Sequence, residues 1–505
     1  MLKTLRILLA VVSLFAVTAL FVDVTGFAIN HWAWMAKIQL VPAVLSLNLL
    51  VVLGLVVATL LLGRVYCSVV CPLGVFQDIV NRLSIFFGSK KTKRLGKFRY
   101  KQNKKGLRVG VFAIFVVLIA AGFFMPAATW IATLLEPYSD YGIMATRLLR
   151  PLAVDANNAM AAASEANGNY DFVMAQQLPL SVPLLVCAII ILVVIVAMAA
   201  TTGRGYCNDI CPVGSLLGWL SQYSWLKPVI NTDKCISCGK CGRRCKASCI
   251  DTKNHQIDYS RCVACFDCIS VCEEDAISYI HPKKVKNAEP INQANNTRRA
   301  FLLGGAIVAG DAVASALGNG DGGFAPLKLK KSPQRVKAVV PPGAKGAKWL
   351  SEHCVSCQLC ISNCPNEVLQ VSTDLATFMQ PVMDFSKGYC RPECTTCSDI
   401  CPAGAILPID TATKSATKIG TAVVDAEICI SAAYGQHCGR CFQGCPTQAI
   451  KLIKGENGNL RPVVNETICI GCGACEYHCP VGTVASNRTD VAAIHVEGVS
   501  RHQTI

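Results

Sequence analysis

The sequence predicts a four-helix transmembrane unit followed by α+β ferredoxin-like domains, and three observations predict it. Apolar residues make up 52% of the 505-residue chain and are densest in the first 200 positions, where four runs approach membrane-crossing length. Thirty cysteines occur, most of them in short motifs of recurring spacing after Lys234. Two further cysteine pairs follow the second and fourth apolar runs in nearly the same words, GRVYCSVVCPLG and GRGYCNDICPVG.

The spans are expected near Ile7 to Ala28, Ile38 to Leu62, Val109 to Ile131 and Leu180 to Ala200. The fourth contains no charged residue. The first holds Asp23 near its end, lacks a small-residue cleavage site and precedes three more spans, so it reads as an uncleaved anchor. A net charge of +16 would suit a nucleic-acid partner, but much of the basic excess lies between Arg64 and Arg108, where Asp78 is the only acid. Lys90, Lys91, Lys93, Arg94, Lys97, Arg99, Lys101, Lys104 and Lys105 cluster there. Such a loop marks the cytoplasmic side of a lipid bilayer, and no nucleic acid is expected. Both ends of the four-span unit then face the cytoplasm. The outer segments are a short one near His31 and a longer one from Ala132 to Leu178, which carries Glu136, Asp140, Asp155, Glu165 and Asp171.

The expected domains are 1–225, the four-span unit; 226–285, a two-cluster ferredoxin; 286–345, a linker; 346–490, a four-cluster ferredoxin-like domain; and 491–505, a tail. Cys67, Cys71, Cys207 and Cys211 fall at one membrane face, each pair followed by Pro72 or Pro212. Four thiols there suit a shared metal centre or redox-active disulfides; two pairs of interfacial thiols without a cofactor is the plainer alternative.

Further on, Cys235, Cys238, Cys241 and Cys245 form CxxCxxCxxxC, and Cys262, Cys265, Cys268 and Cys272 repeat it. A cubane [4Fe-4S] cluster takes three closely spaced thiolates from one loop and a fourth from elsewhere, which in two-cluster ferredoxins is the other motif. One cluster would therefore use Cys235, Cys238, Cys241 and Cys272, the other Cys262, Cys265, Cys268 and Cys245. Cys249 and Cys187 remain as packed or free thiols. Four more motifs follow: Cys354, Cys357, Cys360, Cys364; Cys390, Cys394, Cys397, Cys401; Cys429, Cys438, Cys441, Cys445; and Cys469, Cys472, Cys475, Cys479. Each ends in Pro, at Pro365, Pro402, Pro446 and Pro480; the second and third widen their first gap. Zinc ribbons need neither a third cysteine nor a trailing Cys-Pro, so iron-sulfur chemistry with about six [4Fe-4S] clusters is expected. In this region adjacent motifs exchange their fourth ligand, or the first pairs with the fourth and the second with the third. Short apolar runs such as EVLQV, AIL and AIKLI suit the small elements of such a fold.

Between the two cluster regions, NNTRRAFLLGGAIVAG places Arg298 and Arg299 before a short apolar stretch that Asp311 limits. It resembles a twin-arginine export signal in an internal position, and Pro341 and Pro342 then mark a flexible connection.

With paired CxxxCP motifs behind spans two and four and a ferredoxin directly after, residues 1 to about 280 resemble the NapH-type membrane ferredoxins of the periplasmic nitrate reductase electron-transfer module. The remainder, with TRRAFLLGG, VVPPGA, four cluster motifs and KIGTAVVDAEIC, looks like the NapG-type partner, so the chain resembles a fusion of the two. The resemblance implies a multi-pass protein of the bacterial inner membrane that oxidises quinol and delivers electrons to a partner reductase, with its second half periplasmic. So many clusters suit anaerobic respiration. No histidine falls inside a span, since His31 is at a boundary and the others begin at His255, so no haem is expected. Glu136 reads as a solvated loop carboxylate, with acceptance of a quinol proton as the functional alternative. Nothing resembles a nucleotide fingerprint or hydrolase nucleophile, so no substrate-converting catalytic site is expected. The alternatives to a carrier are an accessory factor that matures or reduces a partner's metal centre, and a redox sensor.

Overall fold

The structure is a computed structural model describing residues 2–90, 92, 97–122, 126–167, 169, 174–175, 182–281, 330–374, 377–455, 458–482 and 490–505. The twin-arginine segment lies outside the described residues. The chain forms two compact units, one of Met1–Phe124, Ile131–Ala156 and Pro183–Val308, the other of Met125–Trp130, Asn157–Val182 and Ala309–Ile505.

The principal helices of the first unit are α1 (Leu2–Val22), α2 (Leu49–Leu62), α3 (Pro72–Phe86), α4 (Lys105–Gly122), α5 (Pro137–Met144), α6 (Val182–Thr202) and α7 (Pro212–Ser221). Among the described residues, α1, α4 and α6 are long and apolar enough to cross a membrane. The sequence led us to expect a fourth span at 38–62, but that stretch is divided. A short helix, Leu40–Leu45, is followed by Leu47 at φ 53°, and the Asn48 side chain accepts the Val51 N–H at 3.3 Å to start α2. At about 1.5 Å per residue, the 14 residues of α2 reach roughly 21 Å, short of a hydrocarbon core of about 30 Å. The first span also ends early, because Asp23 accepts the N–H groups of Thr25, Gly26 and Ala28 and turns the chain.

Helix α1 is patterned inside out. It exposes Leu5, Leu9 and Val12 while burying Arg6, Ser13 and Ala16. Helix α6 likewise exposes Val186, Ile190 and Val193 and buries Leu184, Ala188 and Ile195. Apolar stripes facing outward suit lipid as the surrounding solvent.

In the same unit the first cluster region carries β1 (Lys227–Ile230), β2 (Ile250–Asp251), β3 (Gln256–Ile257) and β4 (Ile277–Ile280), paired antiparallel as β1 with β4 and β2 with β3. Ile230, Ala247, Ile250, Ile257 and Ile277 form its core among the cysteines. This small domain is fastened to the helices. Phe98 N donates to Arg243 O at 3.1 Å, Arg204 N to Lys246 O at 2.9 Å, and Tyr279 OH to Leu62 O at 2.7 Å. Arg108 reaches Ser260 Oγ at 3.0 Å and Lys3 pairs with Asp267 at 3.0 Å. The starts of α1 and α4 and the ends of α2 and α6 therefore all meet one ferredoxin domain, so the four segments alternate in direction.

The second unit contains β5 (Leu369–Val371) paired with β6 (Pro381–Met383), β8 (Ile450–Lys454) with β9 (Leu460–Val464), and β7 (Thr417–Val424) with β10 (Ile494–Thr504), all antiparallel. Residues 491–505 are therefore not a tail, and the domain does not stop at 490. In β10 the apolar residues of IHVEGV alternate, so Ile494 and Val496 enter the core with Ile419 and Ala422 of β7.

Candidate redox centres

The six ferredoxin motifs share a backbone shape. Three residues after each fourth cysteine the chain is left-handed, at Ser248, Asp275, Glu367, Gly404, Gln448 and Gly482. In the four motifs with plain spacing, the residues just before and after the second cysteine are also left-handed: Ser237 and Gly239, Ala264 and Phe266, Ser356 and Gln358, Gly471 and Gly473. Non-glycine residues in this region cost of order 1 kcal/mol or more each and persist only where the surroundings impose them. Here they curl each loop around its thiols.

Cavities show which thiols face one another. One is lined by Cys235, Cys238, Cys241 and Cys272, and one by Cys262, Cys265, Cys268 and Cys245. These are the two sets expected from ligand exchange. In the second unit a cavity is lined by Cys469, Cys472, Cys475 and Cys445. Cys441 lies within electrostatic reach of Cys429, Cys438 and Cys479; Cys360 of Cys354, Cys357 and Cys401; Cys397 of Cys390, Cys394 and Cys364. Of the two pairings left open by the sequence, the thiols group as exchange between adjacent motifs. Among the described residues no three His, Cys, Asp or Glu side chains converge as for a single ion; the thiols ring cavities instead.

Backbone N–H groups point at sulfur: Ala276 N to Cys272 and Ala449 N to Cys445 at 3.3 Å, Ile406 N to Cys401 and Ser356 N to Cys354 at 3.4 Å. Four thiols around a cavity with N–H donors fit a [4Fe-4S] cluster, whose potential responds to such hydrogen bonds. Burial pushes the thiols of Cys354 and Cys472 up to about 12, so loading metal there releases their protons. Cys249 is buried 3.5 Å from Cys245 Sγ and lines the same cavity, so it is a neighbour of the site rather than a remote thiol.

The duplicated CxxxCP segments interlock. The arginine of each repeat crosses to the other: Arg64 Nη2 donates to Cys207 O at 3.1 Å, and Arg204 Nη1 to Cys67 O at 2.6 Å. Each also approaches the thiol of its own repeat, Arg64 to Cys67 Sγ at 3.8 Å and Arg204 to Cys207 Sγ at 3.9 Å. Gln77 Nε2 reaches Cys207 Sγ at 3.2 Å and Gly214 N reaches Cys211 Sγ at 3.3 Å. Cys71 and Cys211 each lie within electrostatic reach of Cys67 and Cys207, and Cys211 also of Cys71, so all four thiols surround one buried place. The glycine of CPxG is what allows the crossing: a Cβ on Gly74 would stand 2.3 Å from Cys67 O and 2.7 Å from Arg204 Nη1, and one on Gly214 2.0 Å from Cys207 O and 2.9 Å from Arg64 Nη2.

Arg64, Arg108 and Asp78, which in the sequence are topology signals, are buried and bonded in the structure. Asp78 Oδ1 accepts Arg204 Nε at 2.7 Å, while its Oδ2 meets Arg6 Nη1 at 2.9 Å and Lys246 Nζ at 2.6 Å. Arg64 also donates to Asn208 Oδ1 and to Ser260 O, so one guanidinium touches both CxxxCP repeats and the ferredoxin domain. The repeated Gly-Arg before each motif was the signal available for finding these arginines.

Glu136 is not a solvated loop residue. It is 2% exposed and caps α5 through the Ser139 N–H, and Asp140, equally buried, accepts Tyr206 OH at 2.8 Å. The second oxygen of Asp140 has no hydrogen-bond partner among the described residues. Tyr66 OH, the repeat equivalent of Tyr206 OH, donates to Gln39 Oε1 at 2.8 Å. Asp140 thus lies beside the tyrosine that precedes Cys207, and Glu136 within electrostatic reach of Tyr66, which precedes Cys67.

Comparison with known proteins agrees with this chemistry. A family described as "4Fe-4S binding domain" matches residues 46–94 and 184–232, one CxxxCP pair in each, and a "4Fe-4S dicluster domain" matches residues 435–483. The methylamine utilization ferredoxin-type protein MauM of Methylobacillus flagellatus is 33% identical over 175 residues, 32% of this chain and 73% of that protein. The ferredoxin-type protein NapG of Escherichia coli is 32% identical over 200 residues, 36% of this chain and 81% of NapG. The ferredoxin-type protein NapF of the same organism is 30% identical over 146 residues, 29% and 82% of the respective chains. No solved structure matches.

Proposed function

Because the chain belongs to the family of ferredoxin-type proteins that includes MauM, NapG and NapF, we propose that it is a membrane-bound iron-sulfur electron-transfer protein that relays electrons from the quinol pool to a separate, periplasmic reductase. The observation that carries this reading is the buried join between the CxxxCP thiols and the first ferredoxin domain. Arg64 spans from Cys67 and Cys207 O to Ser260 O, two residues from Cys262, with no exposed gap.

When bound, [4Fe-4S] clusters supply one-electron storage. The chain's own residues do the rest. The 24 motif cysteines hold the clusters, and the N–H groups aimed at sulfur tune them. Cys67, Cys71, Cys207 and Cys211, with Arg64, Arg204 and Gln77 donating to them or beside them, form a further centre at the helix ends. Oxidation of a quinol releases two electrons and two protons, and on this reading Glu136 and Asp140 take the protons. Burial disfavours a carboxylate's charge, so a proton reaching such a group is held more readily than in water. Three membrane-length helices with outward apolar stripes support an anchor in the bacterial inner membrane. The Arg298–Arg299 segment supports an exported second half.

Iron and acid-labile sulfide per chain, with EPR on anaerobically purified and quinol-treated protein, tests the proposal. About 24 irons with quinol-reducible signals is the expected result. Low iron with zinc in its place, or full clusters that quinol leaves oxidised, would overturn it.

A further inference from the structure

We propose that the four cluster sites of the second unit stand in the spatial order first, second, fourth, third motif, so that the row departs from the order of the chain. The proposal rests on the reading that these thiols hold clusters. Each site takes three cysteines from its own motif and one from its neighbour, which ties the first to the second and the third to the fourth. Cys360 of the first lies near Cys397 of the second, and Cys475 of the fourth near Cys441 of the third. What remains is which site of one pair meets which site of the other.

Three observations place the fourth motif there. Cys390 N, at the first thiol of the second motif, donates to the carbonyl of Cys472 in the fourth at 2.9 Å. Cys472 is correspondingly within electrostatic reach of Cys390. The ring of Tyr389 packs 6.0 Å from Tyr477 and 5.6 Å from His478, inside the fourth motif. The third motif's own loop is turned elsewhere: its helix Ile430–Tyr434 packs on β9 through Ser431 Oγ and Leu460 O, at 2.6 Å, and Tyr434 is exposed. The widened gap between Cys429 and Cys438 forms this loop, so the third motif's site ends the row, with the first motif's site at the opposite end.

The test is spin coupling in the fully reduced full-length protein, because adjacent paramagnetic clusters broaden each other's EPR signals. The signal lost in Cys394→Ser identifies the second site. In Cys472→Ser, which removes the fourth site, that signal should narrow; in Cys438→Ser, which removes the third, it should not. The reverse pattern, with six clusters present in the parent, overturns the order alone. Iron far below about 24 per chain overturns the carrier reading and the order with it. If Cys472→Ser loses more than its own four irons, pulsed dipolar EPR on the unsubstituted protein decides: two sites should show two near neighbours and two should show one. The third-motif signal, identified by Cys438→Ser, should belong to the one-neighbour class, and finding it with two neighbours would refute the order.

Discussion

Asp78→Asn removes the anion that three buried cations share, leaving Lys246 with Asp267 at 3.3 Å. Arg6, Arg204 and Lys246 all hydrogen-bond to Asp78 within 2.9 Å, and their side chains are 5% exposed or less. They come from α1, from the segment just after α6 and from the first ferredoxin domain, so the carboxylate is the point at which these parts are tied. Deleting one partner of a buried ion pair costs about 3–5 kcal/mol, because the remaining charge is left uncompensated. An asparagine keeps the size and one acceptor but turns an N–H₂ group toward a cation. At about 1.4 kcal/mol per tenfold, the expected loss of local protection is roughly 10²- to 4 × 10³-fold. Hydrogen exchange in detergent reads this at the Arg204 amide, which donates to Lys246 O across the joint. A peptide covering that amide whose exchange is the same in Asp78→Asn and the parent would refute the view that Asp78 fastens the ferredoxin domain to the helices.

Gly214→Ala places a Cβ 2.0 Å from Cys207 O and 2.9 Å from Arg64 Nη2, so the crossed arginine must shift. We expect a loss of about 1–3 kcal/mol in thermal unfolding and a changed spectrum of the CxxxCP centre, with the 24-cysteine iron content retained. Asp140→Asn, alone or with Glu136→Gln, should slow quinol-driven reduction by about 10²-fold or more while dithionite still reduces every cluster; stopped-flow absorbance compares the two donors, and an unchanged quinol rate removes these residues from the mechanism. In the second unit, burial holds the His502 imidazole down at about 4, below its ordinary 6.5, so the fold favours the neutral ring. That stability is complete above pH 6.5 and is lost as pH falls toward 4, by at most about 3 kcal/mol. Urea midpoints at pH 7 and pH 5 should therefore converge in His502→Phe.

The cysteine motifs were legible in the sequence because they are local, and local spacing is what a cubane cluster would require: three thiolates from one short loop, written as CxxCxxC. Membrane-length apolar runs were legible for a similar reason, since lipid acts on each segment by itself. The ends of those runs were less so. Polar residues at Ser46 and Asn48 break the second run, and only hydrogen bonding decides that a short helix stops there. The strand at 494–504 was missed, although IHVEGV alternates, because a strand at the end of a chain has meaning only when β7 is there to pair with it.

Whatever depends on two distant segments meeting was decided by tertiary structure. Sequence set the 24 cysteines, the duplicated CxxxCP pairs and the apolar helices, all properties of neighbours in the chain. Packing alone grouped thiols of adjacent motifs among the last four, brought Cys390 to Cys472, and buried Glu136 and Asp140. It also turned the basic residues Arg6, Arg64, Arg204 and Lys246 from charges near a membrane into a buried network around Asp78 and the thiols. The physical reason is that the worth of a charge or thiol is set by what surrounds it after folding, and residues as far as 196 positions apart supply those surroundings here.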